Sequence, residues 1–310
     1  MALVEYDLFG QKRDKVQTAI DRLRAFEPKD GYYVADSGGK DSSCVVKLCE
    51  MAGVKFDAHY NATTIDPPQL VRFIRQNHPK TEIEKPEYTM RELIVKKQMP
   101  PTRLMRYCCQ HLKELHGKGR VVVTGVRWAE SGNRKNNQGL VTFTTASKEL
   151  NNAADLSGAE PNRTSKNGLI LNTDNDESRR MVEMCYRTHK TLVNPIIDWT
   201  DEDVWEFIRL CNVPYCELYD CGFKRLGCVA CPLGGSTSMQ RELEFFPQFK
   251  KFYIRTFDEM LDARRKAGKS INRHWTDGES VLRWWVGKGG ESKDELQLGI
   301  FDETEKKTDG

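Results

Sequence analysis

The sequence predicts an α/β fold, an open and mostly parallel sheet with helices on both faces, followed by a C-terminal helical extension. Three observations lead there. Gly31-Tyr-Tyr-Val-Ala35 is a short run of β-forming residues; Asp36-Ser-Gly-Gly-Lys-Asp-Ser-Ser43 follows as a glycine-bearing loop; and Cys44 to Ala52 continues as a helix that Gly53 ends. Val54 to Tyr60 then reads as another strand, and strand, loop, helix, strand makes a right-handed unit whose two strands run parallel. Arg120-Val-Val-Val-Thr124 repeats the buried-strand pattern further along.

The remaining elements follow in order. Val16 to Phe26 has apolar residues at helical spacing, so residues 1–27 are expected to form an N-terminal helix. Gln69 to His78 reads as a helix, Thr81 to Glu84 as a strand and Thr89 to Gln98 as a helix. Pro100-Pro101 breaks the last of these, and a new helix is expected from Arg103 to His116. Residues 132–180 are crowded with asparagine, serine, threonine and glycine, and are expected to be a polar insertion or lid with one strand at Gly168–Leu171. Asp176 to His189 is helical in pattern. Ser236 to Ala267 is an aromatic-rich helical stretch kinked at Pro247, and Asp277 to Val286 completes a helical extension over 236–288. The acidic residues 289–310 are expected to be disordered.

Composition narrows the function. A chain of 310 residues with 38% hydrophobic and 30% charged residues fits a globular protein and excludes a disordered one. No apolar run approaches the roughly 20 residues of a membrane span. Met1 to Val16 carries Glu5, Asp7, Lys12, Arg13 and Asp14 where a secretion signal would be apolar, so a cytoplasmic location without membrane partners is expected. A net charge of +3 is too small to mark a nucleic-acid binder. Residues 101–150 hold nine basic against three acidic residues, which suits an anionic ligand or, equally, a solvated face. Ten cysteines without a secretion signal point to thiols or metal ligands.

The loop has its own chemistry. Gly38 and Gly39 permit a tight turn with uncovered amides, and the following helix directs its positive end to the same place. Lys40 adds a full charge, and Ser37, Ser42 and Ser43 add hydroxyls. Asp41 and Ser42 also suit a helix cap. The pattern is not the nucleoside-triphosphate loop G-x-x-x-x-G-K-[ST], because Lys40 directly follows the glycine pair.

Ser37-Gly-Gly-Lys-Asp-Ser42 after a strand resembles the pyrophosphate loop of the adenine nucleotide alpha-hydrolase superfamily, which includes ATP pyrophosphatases and the sulfonucleotide (APS/PAPS) reductases. Thr124-Gly-Val-Arg-Trp-Ala-Glu-Ser131 with Arg134, Asn194-Pro-Ile-Ile-Asp-Trp-Thr-Asp-Glu-Asp-Val-Trp205, Val213-Pro-Tyr215 and Gly227-Cys-x-x-Cys231 are similar to the PAPS reductase branch. The resemblance implies a nucleotide-binding domain over 28–235. It also implies an adenine-nucleotide site on Ser37, Gly38, Gly39, Lys40, Asp41, Ser42, Asp66, Gly125, Arg127 and Arg134, with Lys40, Asp41 and Arg127 nearest the chemistry. Arg127 suits bidentate phosphate binding or a plain surface position. Asp66 suits a ribose hydroxyl or a turn before Pro67-Pro68.

Cys228-Val-Ala-Cys231 is a tight turn presenting two thiols, half of many zinc and iron–sulfur sites. Cys216 and Cys221 complete one local set of four. The resemblance implies another, in which tandem Cys108-Cys109 joins Cys228 and Cys231 around a 4Fe–4S cluster; that set is preferred, with Cys216 and Cys221 as runners-up and zinc as the alternative metal. Cys221-Gly-Phe-Lys-Arg-Leu-Gly-Cys228 also looks like the cluster region of the sulfur-transfer subunit of DNA phosphorothioation.

Two departures from the reductases bear on the reaction. No cysteine follows Cys231, where those enzymes place their nucleophile, and the loop retains the lysine that PAPS reductases lack. The expected activity is therefore cleavage of ATP to AMP and pyrophosphate with Mg²⁺, adenylating an acceptor for sulfur transfer. A nucleic-acid acceptor and a sulfur-donor protein are the partners considered. A sulfonucleotide reductase is the alternative enzyme. A nucleic-acid-binding iron–sulfur protein is the further one, since Lys250, Lys251 and Arg255 interleave with Phe249, Phe252 and Tyr253, a pattern that equally makes a packing face.

Overall fold

The structure, a computed structural model, describes residues 3–6, 10, 12–113, 116–144, 147–163 and 168–287. Its contacts divide the chain into two units: Met1–Asn61, Pro68–Glu84 and His116–Leu226 form the first, and Ala62–Pro67, Lys85–Leu115 and Gly227–Gly310 the second.

In chain order, β1 (Val4–Tyr6) and β2 (Lys12–Asp14) make an antiparallel pair ahead of α1 (Lys15–Ala25), which Asp14 caps through the amides of Val16 and Gln17. Then come β3 (Tyr32–Ala35), α2 (Lys40–Ala52), β4 (Phe56–Asn61), α3 (Pro68–Asn77), β5 (Glu82–Glu84), α4 (Met90–Lys97), α5 (Tyr107–Leu112) and β6 (Val121–Val123). The chain continues through α6 (Gly132–Asn137), β7 (Val141–Phe143), α7 (Lys148–Ser157), β8 (Asn162–Arg163), β9 (Leu169–Leu171), α8 (Asp176–Cys185), β10 (Thr191–Val193) and α9 (Asp201–Leu210). Finally α10 (Ser236–Phe245), α11 (Pro247–Lys266) and α12 (Gly278–Val286) follow the cysteine turn.

The first unit is built on one eight-stranded sheet in the order β5-β4-β3-β6-β10-β7-β9-β8. The strands from β5 to β10 pair in parallel, while β7, β9 and β8 each pair antiparallel with their neighbours. Val34, Val121, Val123, Val141, Phe143, Leu169, Leu171 and Val193 join Leu23 of α1, Leu48 of α2 and Trp199 in the core. The edge strand β5 is short and carries Glu82 and Glu84 beside His59, charges that discourage another strand from pairing there.

Residues 132–180, expected as a polar insertion or lid, belong to the sheet unit. They supply three strands, the core-facing helix α7 and the start of α8, with Leu140, Leu150, Ala153, Ala154 and Leu171 buried among the core residues. The anticipated strand at Gly168–Leu171 is β9; β7 and β8 are too short to show alternation in sequence and exist because neighbours complete their hydrogen bonds. Residues 1–27 likewise contain β1 and β2 besides the helix, and α1 contributes Ala19, Ile20 and Leu23 to the core.

The second unit is helical. Here the expected boundary at residue 235 gives way, because α11 packs on α4 from the expected nucleotide-binding domain. Arg91 pairs with Glu259 through two bonds of 2.7 Å, and Arg264 donates to the Gln98 carbonyl at 2.7 Å. The aromatic stripe is spent on packing: Tyr253, Phe257 and Trp285 are mutually in contact and buried, and the Trp285 indole donates to the Pro101 carbonyl at 2.6 Å. Pro247 begins α11 instead of kinking one long helix. The acidic stretch 289–310 lies outside the described residues. Among the described residues no helix is long and apolar enough to cross a membrane.

Candidate functional sites

The first site forms where β3 ends. Asp36 is buried, and its carboxylate collects four donors: the Gly38 amide at 2.9 Å, Ser42 Oγ at 3.2 Å, Thr81 Oγ1 at 2.9 Å and His78 Nδ1 at 2.5 Å. Burial alone would raise its pKa, but His78 and the remaining donors outweigh that and hold it below the usual carboxylate range. Asp36 thereby sets the loop. Gly38 turns at φ +68°, and a Cβ there would lie 2.7 Å from Ile74. Gly39 takes the N-cap of α2 with no side chain to bond the first-turn amides, the arrangement of a helix-terminus anion site. The Lys40 amide meets the Tyr219 hydroxyl at 2.9 Å, and Ser37 Oγ lies 3.2 Å from Ser42 Oγ.

Arg127 reaches the same helix start from the end of β6 and is 1% exposed. Its Nε donates to Asp41 Oδ1 at 2.7 Å, its Nη2 to Asp201 Oδ1 at 2.6 Å and its Nη1 to the Trp199 carbonyl at 3.2 Å. Lys40 Nζ lies 3.1 Å from Asp41 Oδ2 and 3.3 Å from Asp201 Oδ1. Gly125 permits this convergence, since a Cβ there would sit 2.8 Å from the Asp41 backbone. Arg134 pairs with Glu130 at 3.4 Å; burial and the charge of Arg225 lower its pKa against the pull of Glu130.

The second site belongs to the helical unit. Cys108 and Cys109 open α5, and Cys228 and Cys231 bracket a turn in which Ala230 adopts φ +58°. That turn is held by the Val229 amide on the Ile65 carbonyl at 2.9 Å, the Ala230 amide on Glu242 at 2.6 Å and the Tyr253 hydroxyl on the Val229 carbonyl at 2.9 Å. The neighbouring Cys108 thiol, with Arg106 and Lys113, outweighs burial and holds Cys109 below the usual thiol range, while Cys109 and burial hold Cys108 above it. Cys228 and Cys231 also act on Cys108, so the four thiols form one electrostatic group. Lys113 is raised by that group, chiefly by Cys228.

Comparison with known proteins follows from this geometry. Residues 31–233 match the phosphoadenosine phosphosulfate reductase domain family, a span that takes in both the loop and the cysteine turn. The chain belongs to that family. An uncharacterized protein of Methanocaldococcus jannaschii is 33% identical over 114 residues, which is 36% of this chain and 24% of that protein. The adenosine 5'-phosphosulfate reductase of Oceanobacillus iheyensis is 39% identical over 56 residues, 18% of this chain and 20% of the enzyme. The chain thus matches a quarter or less of the length of these relatives. Among solved structures, a phosphoadenylyl-sulfate reductase from Candida auris in a phosphate complex aligns at 18% identity over 68% of this chain and 88% of that one, with a TM-score of 0.41.

Within this PAPS reductase-family chain, Ser37, Gly38, Gly39, Lys40, Asp41, Ser42, Gly125, Arg127 and Arg134 all lie in the first unit, and the first eight meet at the start of α2. Asp66 belongs to the second unit, where the Thr63 amide and hydroxyl, each at 2.7 Å, occupy its two oxygens in a local turn. Cys216 and Cys221 fall in the first unit, apart from the preferred set by membership, and Cys216 is buried before the turn Glu217–Tyr219. Asp201, Tyr219, Asp36 and His78 went unread as site residues. Asp201 stood in the Asp198-Trp-Thr-Asp stretch that carried the resemblance, but nothing local assigned its side chain to Lys40 and Arg127.

Proposed function

We propose that this PAPS reductase-family protein is an ATP pyrophosphatase that adenylates an acceptor for sulfur transfer and carries an iron–sulfur cluster. The observation that carries the reading is the pairing of an intact lysine-bearing loop, uncapped at Gly39, with a buried Arg127 aimed at the same helix start. In the reaction an acceptor oxygen or sulfur attacks the α-phosphorus, the bond from that phosphorus to the bridging oxygen breaks, and pyrophosphate leaves with the electron pair. Lys40, Arg127 and the first-turn amides of α2 would stabilise the charge that develops on the leaving group. Mg²⁺, when bound, neutralises further charge there, and the part-buried Asp41 offers the oxygen ligand such a cation takes.

The thiol group fits a cluster by donor chemistry. Four sulfurs suit either iron–sulfur or zinc. Cys108, Cys109, Cys228 and Cys231 would hold the cluster, which when bound supplies iron able to engage a sulfur species. The proposed acceptor is a nucleic acid, with sulfur delivered by a donor protein.

Calorimetric titration of anaerobically purified protein with ATP–Mg²⁺, APS and PAPS tests the reading. Preference for ATP, lost in Lys40→Ala, is expected. Preference for a sulfonucleotide, with sulfite released in the presence of a thiol reductant, would replace it with the reductase alternative suggested by the matched APS reductase segment.

A further inference from the structure

Two cations of the candidate nucleotide site, Lys40 and Arg127, are already neutralised, and one of their partners is badly anchored. Asp41 is part of α2, and its backbone is packed against Gly125. Asp201 begins α9, its side chain is 69% exposed, and among the described residues its carboxylate pairs with Lys40 and Arg127 alone. A single oxygen, Oδ1, accepts from the guanidinium at 2.6 Å and lies 3.3 Å from the ammonium. One anionic oxygen shared between an arginine fork and a lysine is the arrangement these groups make with a phosphate.

We propose that Asp201 is a built-in stand-in for a phosphate oxygen, which an incoming polyphosphate must displace before Lys40 and Arg127 can bind it. The inference rests on the nucleotide reading of this site. Two cations facing two carboxylates leave no net charge to attract a weakly charged anion, and a phosphate entering beside Asp201 is repelled. A nucleotide with several phosphates, engaging the loop and both cations together, overcomes that competition where a small anion does not. The exposed carboxylate can turn into water when it leaves, so displacement carries little desolvation cost. Thr200 caps α9 through the Asp203 amide at 3.2 Å, and the helix start does not depend on Asp201.

The test is calorimetric titration of the wild-type chain, Asp201→Asn, Asp201→Ala and Glu202→Ala with three probes: ATP–Mg²⁺, APS and inorganic pyrophosphate. Glu202, a neighbouring acid in the same first turn, controls for the general loss of negative charge. Asp201→Ala is expected to bind each ligand that the site accepts about three- to tenfold more tightly, Asp201→Asn less so, and Glu202→Ala as the wild type does. Raising the salt should shrink the gain by screening the competing carboxylate. Unchanged or weaker binding in a folded Asp201→Ala overturns the proposal; weakening confined to Mg²⁺-loaded ATP would make Asp201 a cation ligand instead. If ATP fails to bind while APS and pyrophosphate tighten in the variant, the ATP reading falls and the stand-in role survives. Binding of no probe to any of the four proteins overturns both.

Discussion

Asp36 shows how much one residue organises. It ends β3, receives the Gly38 amide and Ser42 hydroxyl of the loop, and is held in turn by His78 and Thr81 from beyond α3. Its depressed pKa means that ionised Asp36 stabilises the fold. That contribution is complete above the ordinary aspartate value near pH 4 and disappears as pH falls through the lower folded-state value. Denaturant midpoints measured from pH 5 to pH 3 should therefore fall less steeply for Asp36→Asn than for the wild type, and parallel slopes would contradict this role. Glycine was legible in the loop, because a lysine after two glycines needs no distant partner to be noticed. The Asp36–His78 contact was not, since nothing in either neighbourhood announces the other.

At the scale of elements, α9 is positioned by a polar contact inside the first unit. Asp203 is fully buried, closes a capping box with Thr200 and pairs with buried Lys15 of α1 at 2.7 Å. Burial would lower the Lys15 pKa, but Asp203 and Glu5 together raise it, so the ammonium is retained. Truncating one partner of such a pair costs up to about 3–5 kcal/mol, and the half-exposed Glu5 at 2.5 Å compensates Lys15 only in part. Asp203→Ala should lose roughly that much stability by urea titration, and Asp203→Ala with Lys15→Met should recover part of it. Equal losses would mean that the cap, and not the stranded lysine, dominates. The capping box at Thr200-Asp-Glu-Asp203 is a local pattern that went unread in the sequence; its second duty toward α1 depends on chain segments that meet only after folding.

Across the whole molecule, the two kinds of chemistry are segregated: the phosphate-type site is built on the sheet unit and the thiol group on the helical unit. Anaerobic reconstitution with iron and sulfide should give the broad visible absorption of an iron–sulfur cluster, lost in Cys228→Ser with Cys231→Ser and kept in Cys216→Ser. Stoichiometric zinc uptake without that absorption would assign the thiols to zinc. What the sequence determined by itself is the family, the parallel strands β3 to β6, the glycine–lysine loop and the paired cysteines. These are local signals: backbone freedom at Gly38, charge at Lys40, and thiols with two residues between them at Cys228 and Cys231. The tertiary structure alone decided the strands β7, β8 and β10, the docking of α11 on α4, the confinement of Asp66 to its own turn and the counter-ion at Asp201. A three-residue strand has no periodicity of its own, and an ion pair has no sequence signature when its partners are brought together only by the packing of separate elements.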